Sequence, residues 1–216
     1  MSPSSDKFAG DLATLLASIS KGLDNGVVKQ LASLRDRLVE MNRNRLVKIN
    51  HSVMELLCAK HLLLKGYQVS LEHPLGDILV CDLYGVKGEG KAIVEVETGY
   101  TPPSHALDPS TYNKARLASK IARYSAFCDK FSVGVPPFHL LRIPRPFTQP
   151  VRNRNSKDLE EIKRLCDHYY RNPPITLEQI RAARIHTLFM IDVDGLRVTE
   201  IDPEGYYRVV SQASFG

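Results

Sequence analysis

Apolar side chains in the first fifty residues recur at the three- to four-residue spacing of amphipathic helices. One such run covers residues 8–19, a second covers 27–46, and Gly22 interrupts the pattern between them. The basic side chains of the second run lie largely off its apolar stripe. Residues 1–49 are therefore expected to form a helical extension ahead of the main domain.

The next segment predicts one helix followed by strands. Asn50 or Ser52 can cap this helix at its start. It runs to about Lys65, and Gly66 stands where helices commonly end. Beyond it, short runs rich in Val, Ile, Leu and Tyr are typical of strands, and the glycine-containing loop 86–90 joins two of them as a hairpin. The strands are expected at 67–72, 77–84 and 91–98, and a further helix and strand at 110–128 and 131–135.

The C-terminal part adds helices and strands to this series. Residues 136–155 are rich in proline, which predicts an irregular and exposed segment. Periodicity then predicts helices at 157–170 and 176–184, and strands at 186–193, 197–201 and 206–210. The expected fold class is α/β, with an αβββαβ core and a central mixed sheet in residues 50–142, the helical extension before it, and a C-terminal α+β addition, residues 143–216, packed on that core.

Composition is that of one globular domain. A hydrophobic fraction of 43% in 216 residues is enough to bury a sizeable core. No apolar run reaches the roughly 18 residues that a membrane span requires. The four cysteines are far apart and form no zinc-binding pattern, which indicates reduced thiols. These features predict a cytoplasmic protein, in a prokaryotic cell or a virus-infected host cell, without a membrane partner.

The net charge is +5, the sequence pI is near 9.0, and the cations are clustered. Residues 21–65 hold nine Lys and Arg side chains against four acids, and residues 142–157 hold five cations and no acid. Such clusters favour a nucleic acid that is bound through its phosphates, with little reading of base sequence. The helix over 27–46 would then face DNA as a strut, or else serve as a dimerisation arm. The candidate nucleic-acid-binding residues are Arg35, Arg43, Arg45, Lys48, Lys114, Arg142, Arg145, Arg152 and Arg154.

Three acidic side chains fall on the predicted hairpin. Asp82 stands near the end of one strand, about level with Val94 of the next. Glu95 and Glu97 share one face of that second strand because strand side chains alternate. Carboxylates this close repel one another, and a divalent cation such as Mg²⁺ or Mn²⁺ is the usual way to keep them ionised. The alternative is a half-exposed strand whose acids pair with neighbouring lysines.

Two further side chains extend the candidate site. Glu55 lies on the apolar, inward-facing side of the third helix, so it needs a buried partner, either a metal ion or a lysine. Lys120 lies at the edge of the apolar stripe of its helix, one turn before Tyr124. It can take part in catalysis or only pair with an acid such as Glu55 or Glu97. The seven histidines form no HExxH or HxH pattern, so histidine-based chemistry is the weaker hypothesis.

The order of elements around these acids resembles the core of the PD-(D/E)XK nuclease superfamily, which includes restriction enzymes and archaeal Holliday-junction resolvases. The resemblance covers roughly residues 50–136. Glu97 stands where the superfamily usually has lysine, a replacement shared by some of its restriction enzymes. The Lys120-x-x-x-Tyr124 spacing resembles a helix motif of other members, in which glutamine is more usual than Lys120. The matching residues are Glu55, then Asp82 within Val80-Cys81-Asp82-Leu83, then Glu95-Val96-Glu97.

The resemblance implies a metal-dependent deoxyribonuclease. Asp82, Glu95 and the carbonyl of Val96 would hold one or two Mg²⁺ or Mn²⁺ ions at the scissile phosphate, with a side chain of the third helix, Glu55, as a further ligand. Glu97 would orient or deprotonate the attacking water, and Lys120 would offset the charge that builds up on the phosphorane. Small archaeal and archaeal-virus nucleases of this superfamily look similar and commonly act as dimers, so a homodimer that cuts DNA, branched DNA included, is expected.

Two other functions fit the same sequence. Because Glu97 replaces the usual lysine, the chain can instead be a DNA-binding protein that has kept the nuclease fold without its activity. The long N-terminal helices also fit an assembly protein in which the basic charge is incidental. For the nuclease, structure-selective or weakly sequence-specific endonucleolytic cutting is expected, and RNA stays open as a substrate.

Overall fold

The computed structural model describes residues 3–213, with side chains over 6–211, and shows an α/β fold around one mixed sheet. All the predicted helices are confirmed, as are six of the seven predicted strands. No helix of the described range combines the length and apolar character needed to cross a membrane. The helices are α1 (Pro3–Ile19), α2 (Asn25–Arg43), α3 (Ile49–Leu64), α4 (Pro109–Tyr124), α5 (Ser156–Tyr169), α6 (Leu177–Ala182) and α7 (Pro203–Ala213), and the strands are β1 (Gln68–Leu75), β2 (Leu79–Lys87), β3 (Gly90–Val96), β4 (Lys130–Val135), β5 (Thr187–Asp192) and β6 (Arg197–Ile201).

The six strands form a single sheet in chain order, from β1 to β6. β1, β2 and β3 are antiparallel neighbours, β3, β4 and β5 run parallel, and β6 returns antiparallel to β5. The two parallel connections pass through α4 and through α5 and α6, because parallel neighbours require a crossover. β5 and β6 of the predicted C-terminal addition thus extend the central sheet, and the sheet does not end at residue 142.

The sheet divides the buried side chains into two cores. Neighbouring residues alternate between them: Ile93 and Leu188 pack in one core, and Val94 and Phe189 pack in the other. Helices α1, α2 and α3 cover the face that includes Val94, whereas α4, α5 and α6 cover the opposite face. The result is a three-layer α/β/α arrangement in which α3 and α4 approach the sheet from opposite sides.

The start of α3 differs from the expectation that Asn50 or Ser52 would cap it. The N-cap is Lys48, whose backbone is extended and whose side chain makes no cap hydrogen bond. Ser52 lies within the first turn, where it is buried and donates its backbone N–H to the Lys48 carbonyl at 3.0 Å. Burial of this turn against the core outweighs the local capping preference. The helix includes His51, one turn before Glu55.

Residues 136–155 are irregular, as predicted, but the expectation that they are exposed is wrong. Leu141 and Phe147 are buried in the core beneath α4 and α5. The segment has no strand or α-helix, only the short 3-10 helices Arg145–Thr148 and Val151–Asn153, and its prolines do not keep its apolar side chains in water. Arg142 and Arg145, which lie between the buried positions, are exposed.

The predicted strand at 206–210 is wrong, because these residues belong to α7. The Asp202 side chain accepts the backbone N–H of Gly205 at 2.7 Å, and its carbonyl accepts that of Tyr206 at 2.9 Å. Asp202 followed by Pro203 is therefore a helix start, with a capping side chain and proline in the first turn. This local signal outweighs the strand-like composition of the residues that follow.

Candidate metal centre and active site

The β2–β3 hairpin positions the predicted acids, and its register differs by one residue from the expectation. Leu83 pairs with Val94, so Asp82 is level with Glu95 and not with Val94. Gly88, with φ of 59°, allows a turn of only two residues, shorter than the predicted loop. Directly opposite residues of an antiparallel pair share one face of the sheet, so this register brings the two carboxylates together.

Hydrogen bonds to backbone fix both carboxylates where the strand pairing ends. The Asp82 N–H donates to Glu95 Oε1 at 3.1 Å, and the Val96 N–H donates to Asp82 Oδ2 at 2.6 Å. Cys81 and Leu83 are two residues apart yet pack in opposite cores, so β2 turns over at Asp82. The Asp82 side chain can therefore be reached from both helical layers.

Lys120 of α4 lies at the centre of the acidic side chains. Its Nζ is 2.9 Å from Glu95 Oε2 and 2.7 Å from Glu97 Oε1. The same Nζ is 3.9 Å from Asp82 Oδ2, and Arg116, one turn earlier, lies 3.5 Å from Glu97 Oε2. Glu95 is 1% exposed and Glu97 is 6% exposed, which contradicts the alternative of surface acids on a half-exposed strand. We call Lys120, Arg116, Glu95 and Glu97 the lysine cluster.

Burial and charge set the protonation of these groups. Burial, followed by the charge of Asp82, raises the pKa of Glu95 to about 8. Burial acts to lower the pKa of Lys120, but the surrounding carboxylates raise it well above its usual value. Burial acts to raise the pKa of Asp82, and the charges of Lys120 and His51 outweigh it, so this pKa is below its ordinary value. Lys120 is therefore a fixed cation beside an ionised Asp82.

Helix α3 contributes two ionisable side chains from successive turns. His51 Nδ1 lies 3.6 Å from Glu55 Oε2, and His51 Nε2 lies 3.4 Å from Asp82 Oδ2. The same nitrogen is 3.2 Å from the carbonyl oxygen of Val96. Burial acts to lower the pKa of His51, yet the nearby carboxylates of Asp82 and Glu55 raise it to about 11. When no metal ion is bound, His51 is therefore protonated and is the cation beside Glu55 and Asp82.

Glu55 is the least satisfied carboxylate in the described range. It is fully buried, and neither of its oxygens has a hydrogen-bond partner among the described residues. Burial raises the pKa of Glu55 by more than the neighbouring His51 lowers it. Leaving a buried carboxylate without such partners is costly, and coordination of a cation would remove that cost.

Strand β1 contributes a further acid, Glu72. Its φ of 47° lies in the left-handed region that residues other than glycine rarely adopt. Leu71 and Leu75 pack in opposite cores, so β1 turns over near Glu72 as β2 does at Asp82. Burial, followed by the charges of Glu55 and Asp82, raises the pKa of Glu72 to about 7.

Ligand atoms from His51, Glu55, Glu72 and Asp82 all lie within 4.8 Å of one another. We call these four side chains, with the carbonyl of Val96, the metal cradle. It differs from the predicted ligand set of Glu55, Asp82, Glu95 and the Val96 carbonyl. Glu95 is engaged by Lys120 and by the Asp82 N–H, and the side chains that could hold an ion include His51 and Glu72 instead. The metal cradle and the lysine cluster meet at Asp82.

Sequence reasoning missed two members of the cradle. His51 has a usable signal, because it lies four residues before Glu55 and therefore on the same face of α3. Glu72 lies beside Asp82 only through the register of β1 with β2, in which Leu71 pairs with Leu83. The residues around Glu72 do not predict its left-handed backbone conformation.

The predicted nucleic-acid-binding residues occupy different settings. Arg35 pairs with Asp36 at 2.7 Å, and Lys114 lies 3.7 Å from Glu161. Lys48 Nζ lies 5.6 Å from the centre of the Tyr100 ring, a cation–π contact. The exposed members of the set are Arg43, Arg45, Lys48, Arg142, Arg145 and Arg152.

Arg154 has a structural position instead of the predicted phosphate contact. Its guanidinium donates to the carbonyls of Gln149, Arg181 and Ala183, at 2.6 to 3.2 Å. These contacts bind the end of α6 to the 136–155 segment. With its donors engaged in this way, Arg154 is not part of the basic surface.

Comparison with family models, curated proteins and solved structures found no significant match for this chain. Any functional conclusion therefore depends on the geometry of the site.

Proposed function

We propose that this chain is a divalent-metal-dependent nuclease of the PD-(D/E)XK type that hydrolyses phosphodiester bonds of DNA. The observation that carries the proposal is that Asp82 lies between two groups, with Glu55 and His51 of α3 on one side and Glu95 and Lys120 on the other. Phosphodiester hydrolysis needs a metal ion at the phosphate and a cation near the developing charge. The acids can bind the metal ion, and Lys120 can serve as the cation.

The residues of the metal cradle fit Mg²⁺ or Mn²⁺. Three carboxylates and one backbone carbonyl supply oxygen ligands, and one imidazole supplies nitrogen, a mixture that Mn²⁺ accepts readily. The buried oxygens of Glu55 would gain the partner that they lack among the described residues. When bound, the cation would polarise the scissile phosphate and lower the pKa of a coordinated water.

The lysine cluster supplies the remaining chemistry. Lys120 Nζ can donate to a phosphate oxygen and offset the charge of the phosphorane, while Glu95 and Glu97 hold the ammonium in place. Glu97 is a candidate to orient the attacking water, and Arg116 holds its other oxygen at 3.5 Å. Lys120 thus performs from α4 the function that the lysine of the usual motif performs from the strand.

Exposed cations supply the contacts to DNA. Lys48 precedes α3 and contacts Tyr100, which follows β3, so this pair lies close to the strand and helix that carry the acids. Arg142 and Arg145 are exposed on the segment that follows β4. A net charge of +5 supports phosphate binding on these surfaces, with a homodimer as our proposal for the assembly.

A second function is favoured by the ion pairs of the site. His51 and Lys120 already place two cations among the acids, at 3.4 and 2.9 Å from the nearest carboxylate oxygens considered for metal binding. A site that is neutralised in this way could persist in a protein that binds DNA without cutting it. The two functions differ in one respect that can be measured, which is metal-dependent cleavage.

The proposal is tested by incubating the protein with Mn²⁺ and labelled single-stranded, duplex and branched DNAs. The wild type is expected to cut at least one of these substrates, and EDTA is expected to stop cleavage. Asp82→Asn should lose cleavage by about a hundredfold or more while keeping its affinity for DNA, because it removes a metal ligand and no phosphate contact. Lys120→Met should lose cleavage to a similar extent.

Asp194→Asn is the matched control, because Asp194 is exposed in the turn between β5 and β6. This variant should cut like the wild type. DNA binding without cleavage by the wild type under any of these conditions would contradict the nuclease and support the second function.

A further inference from the structure

A cavity of about 370 Å³ lies against α7, on the side of the sheet that α4 and α5 cover. Its walls include the cations Lys114, Arg142 and Arg145 and the rings of Tyr206 and Tyr207. Its volume lies within the range of roughly 300–1,000 Å³ that is common for small-ligand sites. Positive charge together with aromatic rings is the composition that suits a phosphorylated aromatic group such as a nucleotide.

This cavity lies beside a second one that borders the proposed active site. A second cavity of about 230 Å³ is lined by Glu97 of the lysine cluster, and also by Asn113 and His139. The two cavities share Leu141 and Arg142 as lining residues. We call these two adjacent cavities, one lined by Glu97 and the other by the tyrosines of α7, the trough.

The wall of the trough is held in place by a defined contact. The backbone N–H of Leu141 donates to the Tyr206 hydroxyl at 2.8 Å, which ties α7 to the segment that follows β4. Leu141 is itself buried, so this segment is anchored from below. Tyr207, the next residue on α7, is half-buried and lines the trough. The rings of Tyr206 and Tyr207 are thus held in position by packing and by this hydrogen bond.

The charges of the trough favour an anion. Arg142 and Arg145 are exposed, and neither pairs with an acid in the part of the chain that the structure describes. The two acids on the wall, Asp158 and Glu161, are otherwise engaged. Asp158 accepts a hydrogen bond from the side chain of the α5 N-cap at 2.7 Å, and Glu161 lies 3.7 Å from Lys114. Two unpaired guanidiniums are therefore available for phosphate.

Given the proposed nuclease function, we infer that the trough binds an unpaired nucleotide of the substrate strand, next to the bond that is cut. Arg142 and Arg145 bind its phosphates, and the ring of Tyr207 contacts its base. A base can enter a cavity of this size only when it is free of its pairing partner and of its neighbours in the stack. The preferred substrate class is therefore DNA with a single-stranded segment at the site of cleavage.

The inference is tested by fluorescence anisotropy in EDTA, where no cleavage occurs. The probes are a labelled short oligothymidylate and a labelled blunt duplex of the same length. The wild type is expected to bind the single strand more tightly than the duplex. The double variant Arg142→Gln/Arg145→Gln should lose about tenfold or more in affinity for the single strand, because charged hydrogen bonds to phosphate are removed, and should lose less for the duplex.

Two further variants separate stacking from general charge. Tyr207→Ala should weaken single-strand binding without changing the duplex. Arg164→Gln removes an exposed cation of α5 that lines neither cavity, and it should bind both probes like the wild type. Equal affinity of the wild type for the two probes would overturn the inference. An unchanged preference for the single strand in the double variant would also overturn it, and so would a loss of single-strand affinity in Arg164→Gln as large as that in the double variant.

Failure of this inference and failure of the nuclease proposal are distinguishable. If the trough variants lose the preference for single strands and the wild type does not cleave in Mn²⁺, the binding site is supported and the nuclease proposal is contradicted. If cleavage depends on Asp82 and the trough variants keep the preference, the nuclease proposal is supported and the binding site is contradicted.

Discussion

Asp82 is the side chain on which both parts of the site depend. Its Oδ2 accepts the Val96 N–H at 2.6 Å and lies 3.4 Å from His51 Nε2 and 3.9 Å from Lys120 Nζ. Cations from both helical layers thus reach one carboxylate on a strand between them. Because these charges keep its pKa low, Asp82 stays ionised at neutral pH.

Removal of the central lysine should destabilise the protein much more than removal of a surface lysine. Lys120→Met leaves buried carboxylates without their cation, which costs about 3 kcal/mol of unfolding free energy when a buried pair is broken. Lys163→Met breaks a pair between partly exposed side chains, Lys163 and Asp167, and should cost less than about 1 kcal/mol. Urea unfolding in EDTA measures both values. Equal, small losses would show that Lys120 is not held by the acids.

Acid pH should weaken the fold through His186. Its Nδ1 accepts the backbone N–H of Phe131 at 3.1 Å, and burial, followed by the charge of Arg184, lowers the pKa of this imidazole. The unfolded chain, with the ordinary pKa near 6.5, therefore binds the proton first, so stability falls as pH drops below about 6.5. The fall ends once pH is below the lowered folded pKa.

His186→Asn keeps an acceptor for the Phe131 N–H and does not titrate. Between pH 7 and pH 5 the unfolding free energy of this variant should decrease less than that of the wild type, as measured by urea denaturation. Identical pH dependence in the two proteins would contradict the assignment of His186 as a neutral, buried acceptor.

Residue types and spacing were enough to predict the acids and their lysine. Asp82, Glu95 and Glu97 do converge on Lys120, whereas Glu55 lies with His51 and Asp82 on the α3 side. The additional cradle residues were not predicted, because their positions depend on how the chain turns. The left-handed backbone at residue 72, with φ of 47°, is a tertiary effect that no local pattern encodes.

At the scale of elements, the predictions of helix starts and of strand register were the least accurate. The strand-like run at 206–210 became helical because Asp202 caps it, whereas α3 starts without any side-chain cap. The two-residue turn at Gly88 changed the register of β2 with β3 by one position. A change of this size reverses the face of every side chain on a strand, so site geometry required the structure.

Loss of the cap on α7 should destabilise the protein measurably. Asp202→Ala removes the side-chain acceptor for the Gly205 N–H and should cost about 1 kcal/mol of unfolding free energy. Thermal denaturation should show a midpoint lower by roughly 2–4 °C. The control is Asp194→Ala, an exposed turn residue, expected to change stability by less than about 0.5 kcal/mol. No difference between the two variants would contradict the helix start at Asp202.

At the scale of the whole molecule, the α/β class and the order of the central elements follow from hydrophobic periodicity together with residue types and turn signals. The extent of the sheet does not, because β5 and β6 join β4 only after a crossover through α5 and α6. Long-range pairing of this kind has no signature in a short window of sequence. The covered faces of the sheet then explain why His51 of α3 and Lys120 of α4 reach Asp82 from opposite layers.

Isothermal titration with Mn²⁺ tests most directly whether the buried acids form a cation site. The wild type is expected to show saturable binding, and Asp82→Asn and Glu55→Gln are expected to bind at least about tenfold more weakly, because each removes a charged oxygen ligand. The control, Asp194→Asn, should bind like the wild type. Absence of saturable binding by the wild type, or equal affinity in Asp82→Asn, would contradict the account.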